Sequence, residues 1–332
     1  MTIFPTQYST LSAVALKDAL SSRYDIAFTQ CKYLLRGVSD TYIMESGAEK
    51  YVLKIYREMH RSQAEILGEV ELLNALHAGG ARVAAPLPDR DDNYLQPFQA
   101  AEGIRYGVVF TFAKGVSLQQ MSDEHLRTVG REMARLHEIT TTVTLQNPRP
   151  TFDFETTIRK PLRTVAPAFA GLEPEYEYLN RTADTIIQTL ESFDLSSFTY
   201  GYCHYDFLPK NFHFDSEDNI MFFDFDFAGK GYIANDLMTF WAHFALHVDF
   251  KRISEDEAGR AFHVFLQAYR EIRPFSEEEQ RAIPYLSFAW WVFFMEFHYE
   301  HFDDFSNPYF SPRFIKERVA LIKRITERYC NV

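Results

Sequence analysis

The stretch that decides how this chain reads is His204-Tyr205-Asp206-Phe207-Leu208-Pro209-Lys210-Asn211, then twelve residues, then Asp224-Phe225-Asp226. It sets a carboxylate at 206, an amide at 211 and a second carboxylate at 224. Magnesium-assisted phosphoryl transfer from ATP needs one carboxylate to accept a hydroxyl proton and hard oxygen ligands to hold Mg²⁺ against the triphosphate. Asp206 is therefore the expected general base, and Asn211 and Asp224 are the expected metal ligands. The apolar residues 219–223 (NIMFF) read as a short strand that delivers Asp224. Taken singly, each of these residues reads as an ordinary loop Asp or Asn. His204 reads as structural, fixing the loop by hydrogen bonds, and Asp226 as a second metal ligand or a substrate-facing group. Asp236, in Asn235-Asp236-Leu237, reads by default as a helix cap, with bracing of the 204–211 loop as the alternative.

Lys54 lies in Tyr51-Val52-Leu53-Lys54-Ile55-Tyr56, whose alternation predicts a half-buried strand. A lysine facing inward there needs an anion. A nucleotide phosphate and a carboxylate on the following helix supply it; Glu69 is the expected partner, with Glu65 and Glu71 as alternatives. Residues 37–41 (GVSDT) connect two strands, where backbone amides and the Ser39 and Thr41 hydroxyls can donate to phosphates. An ordinary hairpin turn is the competing reading.

At 332 residues the chain exceeds the usual size of a single core, so two lobes are expected. Strand signals dominate residues 26–57 and 106–112, with helices at 9–22 and 61–78. Residues 123–140, 172–194 and most of 234–332 read as helical. This is an α+β pattern, with a first domain at 1–112, a second at 113–332 and a hinge near Gly115. A net charge of −12 argues against nucleic acid as a partner and is compatible with a cationic acceptor. Residues 288–302 (FAWWVFFMEFHYEHF) read mainly as core. The alternative is a pocket wall for a cation, with Glu296, Glu300, Asp303 and Asp304 adding charge. The opening MTIFPTQYSTLS shows no secretory pattern, and the apolar run 288–295 is too short to span a bilayer. The three cysteines, Cys31, Cys203 and Cys330, lack metal-like spacing, so a cytoplasmic protein with reduced thiols and no membrane partner is expected.

On these residues the chain resembles the aminoglycoside phosphotransferase/choline kinase family of small-molecule kinases, which includes homoserine kinase-like and bacterial stress-response kinase-like members. The resemblance runs through the 37–41 loop, Lys54, Glu69 in GEVELLNAL, Pro86-Leu87-Pro88, residues 112–115, Met133-Ala134-Arg135-Leu136-His137, residues 204–211, residues 224–226 and Asp236. The family pattern is H-G-D-x-x-x-x-N followed by I-D-[FW]-[DE]; protein kinases carry the related H-R-D-x-x-x-x-N and D-F-G. The resemblance implies a two-lobed protein-kinase-like fold, with a small β-rich N-lobe and a larger, mainly helical C-lobe. It implies ATP and Mg²⁺, and transfer of the γ-phosphate to a hydroxyl of a small molecule. Asp206 would then be the base, Asn211 and Asp224 would hold metal, and the nucleotide base would lie against residues 111–113, touching Thr111 and Ala113.

A stress-response-type Ser/Thr protein kinase and a nucleotide-binding pseudokinase scaffold are the alternatives; the retained Lys54, Asp206, Asn211 and Asp224 speak against the scaffold. No Arg precedes Asp206, which argues against control by an activation-loop phosphate. Two positions depart from the pattern. Tyr205 stands where the family has Gly, and Asp40 stands where a polar Asn is commoner. An anion at 40 weakens ATP binding unless it points away or touches metal. The motifs leave the acceptor unidentified, because acceptor pockets vary on a shared core.

Overall fold

The computed structural model describes residues 5–6, 8–57, 60–301 and 310–330. They fall into two compact units: residues 1–114 with 144–148 and 221–223, and residues 115–143 with 149–220 and 224–332. A β-sheet N-terminal region and a helical C-terminal region make the mixed architecture that the sequence predicts.

The first unit contains α1 (Ala13–Ser21), β1 (Gln30–Arg36), β2 (Asp40–Ser46), β3 (Glu49–Ile55), α2 (Gln63–Ala78), β4 (Pro86–Leu87), β5 (Gln96–Gln99) and β6 (Ile104–Thr111). The strands pair antiparallel in the order β1-β2-β3-β6-β4, with β5 on β6. Alternation along β2 buries Tyr42 and Met44, and these pack with Leu16, Leu20, Leu53, Ile55, Phe98 and Val109. The strand β6 has neighbours on both edges, and its Val108, Val109 and Phe110 are buried. α2 starts with a capping box: the Ser62 hydroxyl accepts from the Glu65 amide and the Glu65 carboxylate accepts from the Ser62 amide. Residues 144–148 join this unit through Glu71, whose carboxylate accepts from the amides of Gln146 (2.8 Å) and Asn147 (3.1 Å). Phe222 joins it by exchanging backbone bonds with Arg82 and Ala84.

The second unit is built on α3 (Asp123–Thr140), a π-helical turn (Glu155–Arg159) running into α4 (Lys160–Val165), α5 (Glu173–Glu191), α6 (Ala234–Asp249), α7 (Glu255–Arg270), α8 (Glu277–His301) and α9 (Pro312–Tyr329). Three short strands lie in it, β7 (Tyr200–Cys203), β8 (Phe212–Phe214) and β10 (Gly229–Tyr232); β9 (Ile220–Phe222), ahead of Asp224, belongs to the first unit from residue 221 on. Ser122, Ser254 and Ser276 each accept from the amide three residues on, which starts α3, α7 and α8. Gly130 lets α3 approach α7 closely; a Cβ there would sit 2.3 Å from the Phe265 carbonyl oxygen. Gly115 has φ +101°, and a Cβ there would meet the Phe214 backbone at 1.9 Å, so only glycine fits. No helix among the described residues is long and apolar enough to cross a membrane.

Burial within this unit gives its stability a pH dependence. His243, on α6, titrates at about 4 in the fold, mainly because burial disfavours the imidazolium, with His247 and Arg252 adding repulsion. An unfolded histidine titrates near 6.5, so between the two values the unfolded chain binds more protons and stability falls as pH falls. The loss is about 1.4 kcal/mol per pH unit for such a group. Urea unfolding of wild type and His243→Gln between pH 7 and 4.5 should therefore show the wild type losing stability more steeply below about pH 6.5. Parallel curves would show that His243 carries no linkage.

Candidate active site

β7 and β10 pair antiparallel with Cys203 opposite Gly229, so the 204–211 loop leaves one strand and the 224–228 turn enters the other. The loop is held by Asp236 in the first turn of α6, at 0% exposure. Its Oδ2 accepts from the His204 amide at 2.8 Å and from His137 Nε2 at 3.0 Å, and its Oδ1 accepts from the Tyr205 amide at 2.7 Å. His137 thus carries its proton on Nε2, and Nδ1 accepts from the Tyr269 hydroxyl at 2.9 Å. Burial pushes the His137 imidazole below its ordinary value against the pull of Asp236, which keeps it neutral. Capping was the default expectation for Asp236, and the structure corrects it. The N-cap of α6 is Ile233 with no side-chain cap bond, and the carboxylate reaches the loop instead.

Two further anchors lie far away in sequence. Thr239 Oγ1 accepts from the Phe207 amide at 3.0 Å, and Trp290 Nε1 donates to the Tyr205 carbonyl at 3.1 Å. Tyr205 itself has φ +65°, the left-handed conformation that glycine adopts freely. Its ring stacks on Phe152 with centroids 3.7 Å apart and planes 11° apart, and meets Phe293 edge-on. His204 is buried against Phe207 and Phe225, and its Nδ1 accepts from the Asp206 amide at 3.3 Å. This matches its structural reading.

Within the loop, Asn211 Nδ2 donates to the Asp206 carbonyl (2.8 Å) and carboxylate (2.9 Å). With its donors committed, the amide's carbonyl oxygen is what Asn211 offers a ligand. Lys210, not singled out in the sequence, places Nζ 2.9 Å from Asp206 Oδ2. Burial raises the Asp206 carboxyl above the ordinary aspartate value, while Lys210 opposes the shift and Asp224 adds to it. Asp224 is exposed, with left-handed φ and ψ of 64° and 61° at the head of the 225–227 turn. The turn is clamped by Arg149, which donates to the carbonyls of Phe225 (3.2 Å), Asp226 (2.6 Å) and Ala228 (2.8 Å). Asp226 is buried inside that turn. Among the described residues no cluster of three or more His, Cys, Asp or Glu could hold a metal alone. One carboxylate and one amide suffice only where phosphate and water complete the shell.

In the first unit, Lys54 Nζ lies 3.7 Å from Glu69 Oε1, both buried. The alternatives are engaged elsewhere, Glu65 in the helix cap and Glu71 on residues 146–147. Thr41 sits opposite Lys54 on β2. Ser39 is 4% exposed, and its Oγ has no partner among the described residues. Thr111 Oγ1 accepts from the Ala85 amide at 2.9 Å, and Ala113 is buried. Asp40, within the 37–41 loop, is fully buried and lies 3.5 Å from Arg36. It is buried against Arg105 (3.1 Å), which also donates to the carbonyls of Ser9, Ile55 and Tyr56.

The aromatic stretch on α8 is core at Phe288, Trp290, Trp291 and Met295, and half-buried at Phe293, Phe294, Phe297 and His298. Glu296, counted toward a cation pocket, is committed to Lys160 (3.3 Å) and the Thr164 hydroxyl (2.7 Å). Phe302, Asp303 and Asp304 lie outside the described residues.

The model of the phosphotransferase enzyme family matches residues 30–276. The chain belongs to this family. It is an enzyme of the kinase type, a small-molecule kinase-like phosphotransferase. An uncharacterized protein of Synechocystis sp. is 32% identical over 86% of this chain and 79% of its own. A homoserine kinase of Afipia carboxidovorans is 26% identical over 84% of this chain and 82% of its own. The structure of amicoumacin kinase hAmiN in complex with AMP-PNP, Ca²⁺ and Ami superposes with a TM-score of 0.71 at 20% identity, over 95% of this chain and 93% of that one, so the two share a fold.

For this phosphotransferase the tyrosine at 205 poses a question of magnitude. Left-handed backbone costs a non-glycine residue about 1–2 kcal/mol. Deleting a buried aromatic side chain costs roughly 3–5 kcal/mol. Packing wins, so Tyr205→Gly should lower the unfolding free energy by about 2 kcal/mol, read by urea denaturation. A stabilised variant would mean that the stacked ring contributes less than the strain.

Proposed function

We propose that this phosphotransferase moves the γ-phosphate of ATP, with Mg²⁺, to a hydroxyl of a small molecule. Asp206 carries the reading: a buried carboxylate touched by Asn211 and Lys210 on a loop that Asp236 fixes. The acceptor hydroxyl gives its proton to Asp206 as its oxygen bonds to the γ-phosphorus. The bond from that phosphorus to the bridging oxygen breaks, and ADP leaves. Much of the rate comes from orientation, which the rigid loop supplies by aiming one carboxylate oxygen.

The residues present fit Mg²⁺ through their donors: an exposed carboxylate at Asp224 and an amide oxygen at Asn211, both hard ligands. When bound, the ion neutralises charge building on the phosphates. Lys54, oriented by Glu69, pairs with a phosphate oxygen, and the buried Ser39 hydroxyl and Thr41 add donors. Thr111 and Ala113 meet the nucleotide base through their backbone, since the Thr111 hydroxyl is committed to Ala85. Residues 1–112 thus serve the nucleotide, and residues 113–332 serve catalysis and the acceptor. The names of relatives support the class: a homoserine kinase, and an amicoumacin kinase solved with an ATP analogue and a divalent cation.

A panel of small alcohols screened for acceptor-dependent ADP release with Mg-ATP tests the reading, and release that no alcohol stimulates would overturn it. Asp206→Asn should cut turnover by roughly 10²–10⁴ while ATP still binds. Activity close to wild type would remove Asp206 as the base. Asp224→Ala should weaken Mg-ATP far more than metal-free ATP in parallel titrations, and equal losses would take Asp224 out of the metal shell.

A further inference from the structure

The 37–41 loop has a glycine that its shape does not require. Gly37 lacks a positive φ, and a Cβ there would meet only ordinary van der Waals contacts, Leu35 Cδ1 at 3.6 Å and the Ser39 carbonyl oxygen at 3.9 Å. Hydrogen bonds fix the turn instead. Arg57, just past the end of β3, donates from Nη2 to the Gly37 carbonyl at 3.2 Å, and the Gly37 amide donates to the Ser39 carbonyl at 3.0 Å. Arg57 is 4% exposed, and its guanidinium carbon lies 4.1 Å from the Tyr8 ring centroid. Arg36 and Arg105 lie over the same ring, at 4.2 Å and 4.8 Å, and both pair with Asp40 at the end of the loop.

These arginines work from one face of the sheet. Alternation puts Asp40, Tyr42 and Met44 of β2 on that face, with Ile55 and Leu53 of β3 opposite the first two. Tyr42, Met44, Leu53 and Ile55 all enter the apolar core there. Thr41 and Lys54, one residue out of step and opposite each other, face the other side, where Lys54 meets Glu69. A trans peptide plane points its C=O and its N–H in opposite directions. The Gly37 carbonyl is turned to Arg57, so the Val38 N–H of the same peptide is turned away from it. That N–H has no acceptor among the described residues, and Val38 is only half-buried, so the donor is open to a ligand.

We propose that Arg57 is a positioning residue for the nucleotide: by holding the Gly37 carbonyl it presents the Val38 N–H to a phosphate oxygen on the Lys54 face. The role rests on the nucleotide reading above. Arg57 acts through that peptide and from the opposite face, unlike Lys54, which pairs with the phosphate directly. Glycine-rich phosphate loops turn their amides at little steric cost. This loop has one glycine, with an ordinary φ, and takes its orientation from an arginine twenty residues away in sequence. A donor already held in place loses no further freedom when the phosphate binds, so the hydrogen bond contributes more of its strength to affinity.

The test uses the full-length enzyme. Calorimetric titration with Mg-ATP and with adenosine separates contacts to the phosphates from contacts to the base. Arg57→Met is expected to weaken Mg-ATP about ten-fold, the worth of one hydrogen bond to a charged group, and to leave the Kd of adenosine unchanged. Arg57→Lys, which keeps a donor, should recover part of the loss. Arg57→Gln takes the place of the methionine variant if that one does not fold. Hydrogen exchange of the nucleotide-free enzyme reads the anchoring by itself: residues 37–41 should exchange faster in the variant than in wild type. Unchanged Mg-ATP affinity, equal losses for the two ligands, or unchanged exchange overturns the role of Arg57 and leaves the nucleotide reading intact. A wild type that binds Mg-ATP no more tightly than adenosine sinks the nucleotide reading, and the role with it, whatever the exchange shows.

Discussion

One carboxylate, that of Asp236, receives the amides of two successive residues and a histidine N–H in a site closed to water. The amides of His204 and Tyr205 point at the same carboxylate, and the left-handed Tyr205 turns the chain directly after them. Each hydrogen bond to a charged group contributes roughly 1.5–3 kcal/mol, more than the strain of the turn. The position of Asp206 is therefore set by its neighbours. His137 comes from α3, Asp236 and Thr239 from α6, and Trp290 from α8, so the packing of three helices fixes where one carboxylate points.

The same rule governs the first unit at Asp40 and Lys54, buried charges that each find a partner. Asp40 departs from the family's neutral residue, and Arg105 neutralises it locally while satisfying three backbone carbonyls. A buried charge without such a partner costs several kcal/mol, about what the pair avoids. This anion faces a guanidinium, and Lys54 is left to Glu69.

What was legible in the sequence is what is local. Residues 204–211 and 224–226 carry their chemistry in short spacings, and α3 matches its reading of 123–140 because Ser122 caps an amphipathic run. The choice of Glu69 among three glutamates was half legible: Ser62 followed three residues later by Glu65 is a capping-box pattern, whereas the contact of Glu71 with residues 146–147 is long-range. The Trp290 bond to the loop spans 85 residues, and no periodicity announces it. β4 and β5 have two and four residues, too few to show alternation. The π-helical turn and α4 were hidden because Pro161 and Pro167 in the same stretch signal a break.

Two influences compete at Asp206. Burial favours its neutral form, and the Lys210 ammonium at 2.9 Å favours the ionised form. The lysine side chain remains 61% exposed, so water screens its charge and weakens its hold. Burial prevails, and the carboxylate is more basic than a free aspartate, the direction a proton acceptor needs. The lysine's exposure carries a second consequence. A long, solvated side chain costs little to displace, so the Lys210 counter-charge can move without disturbing the Asp236 anchor beneath the loop.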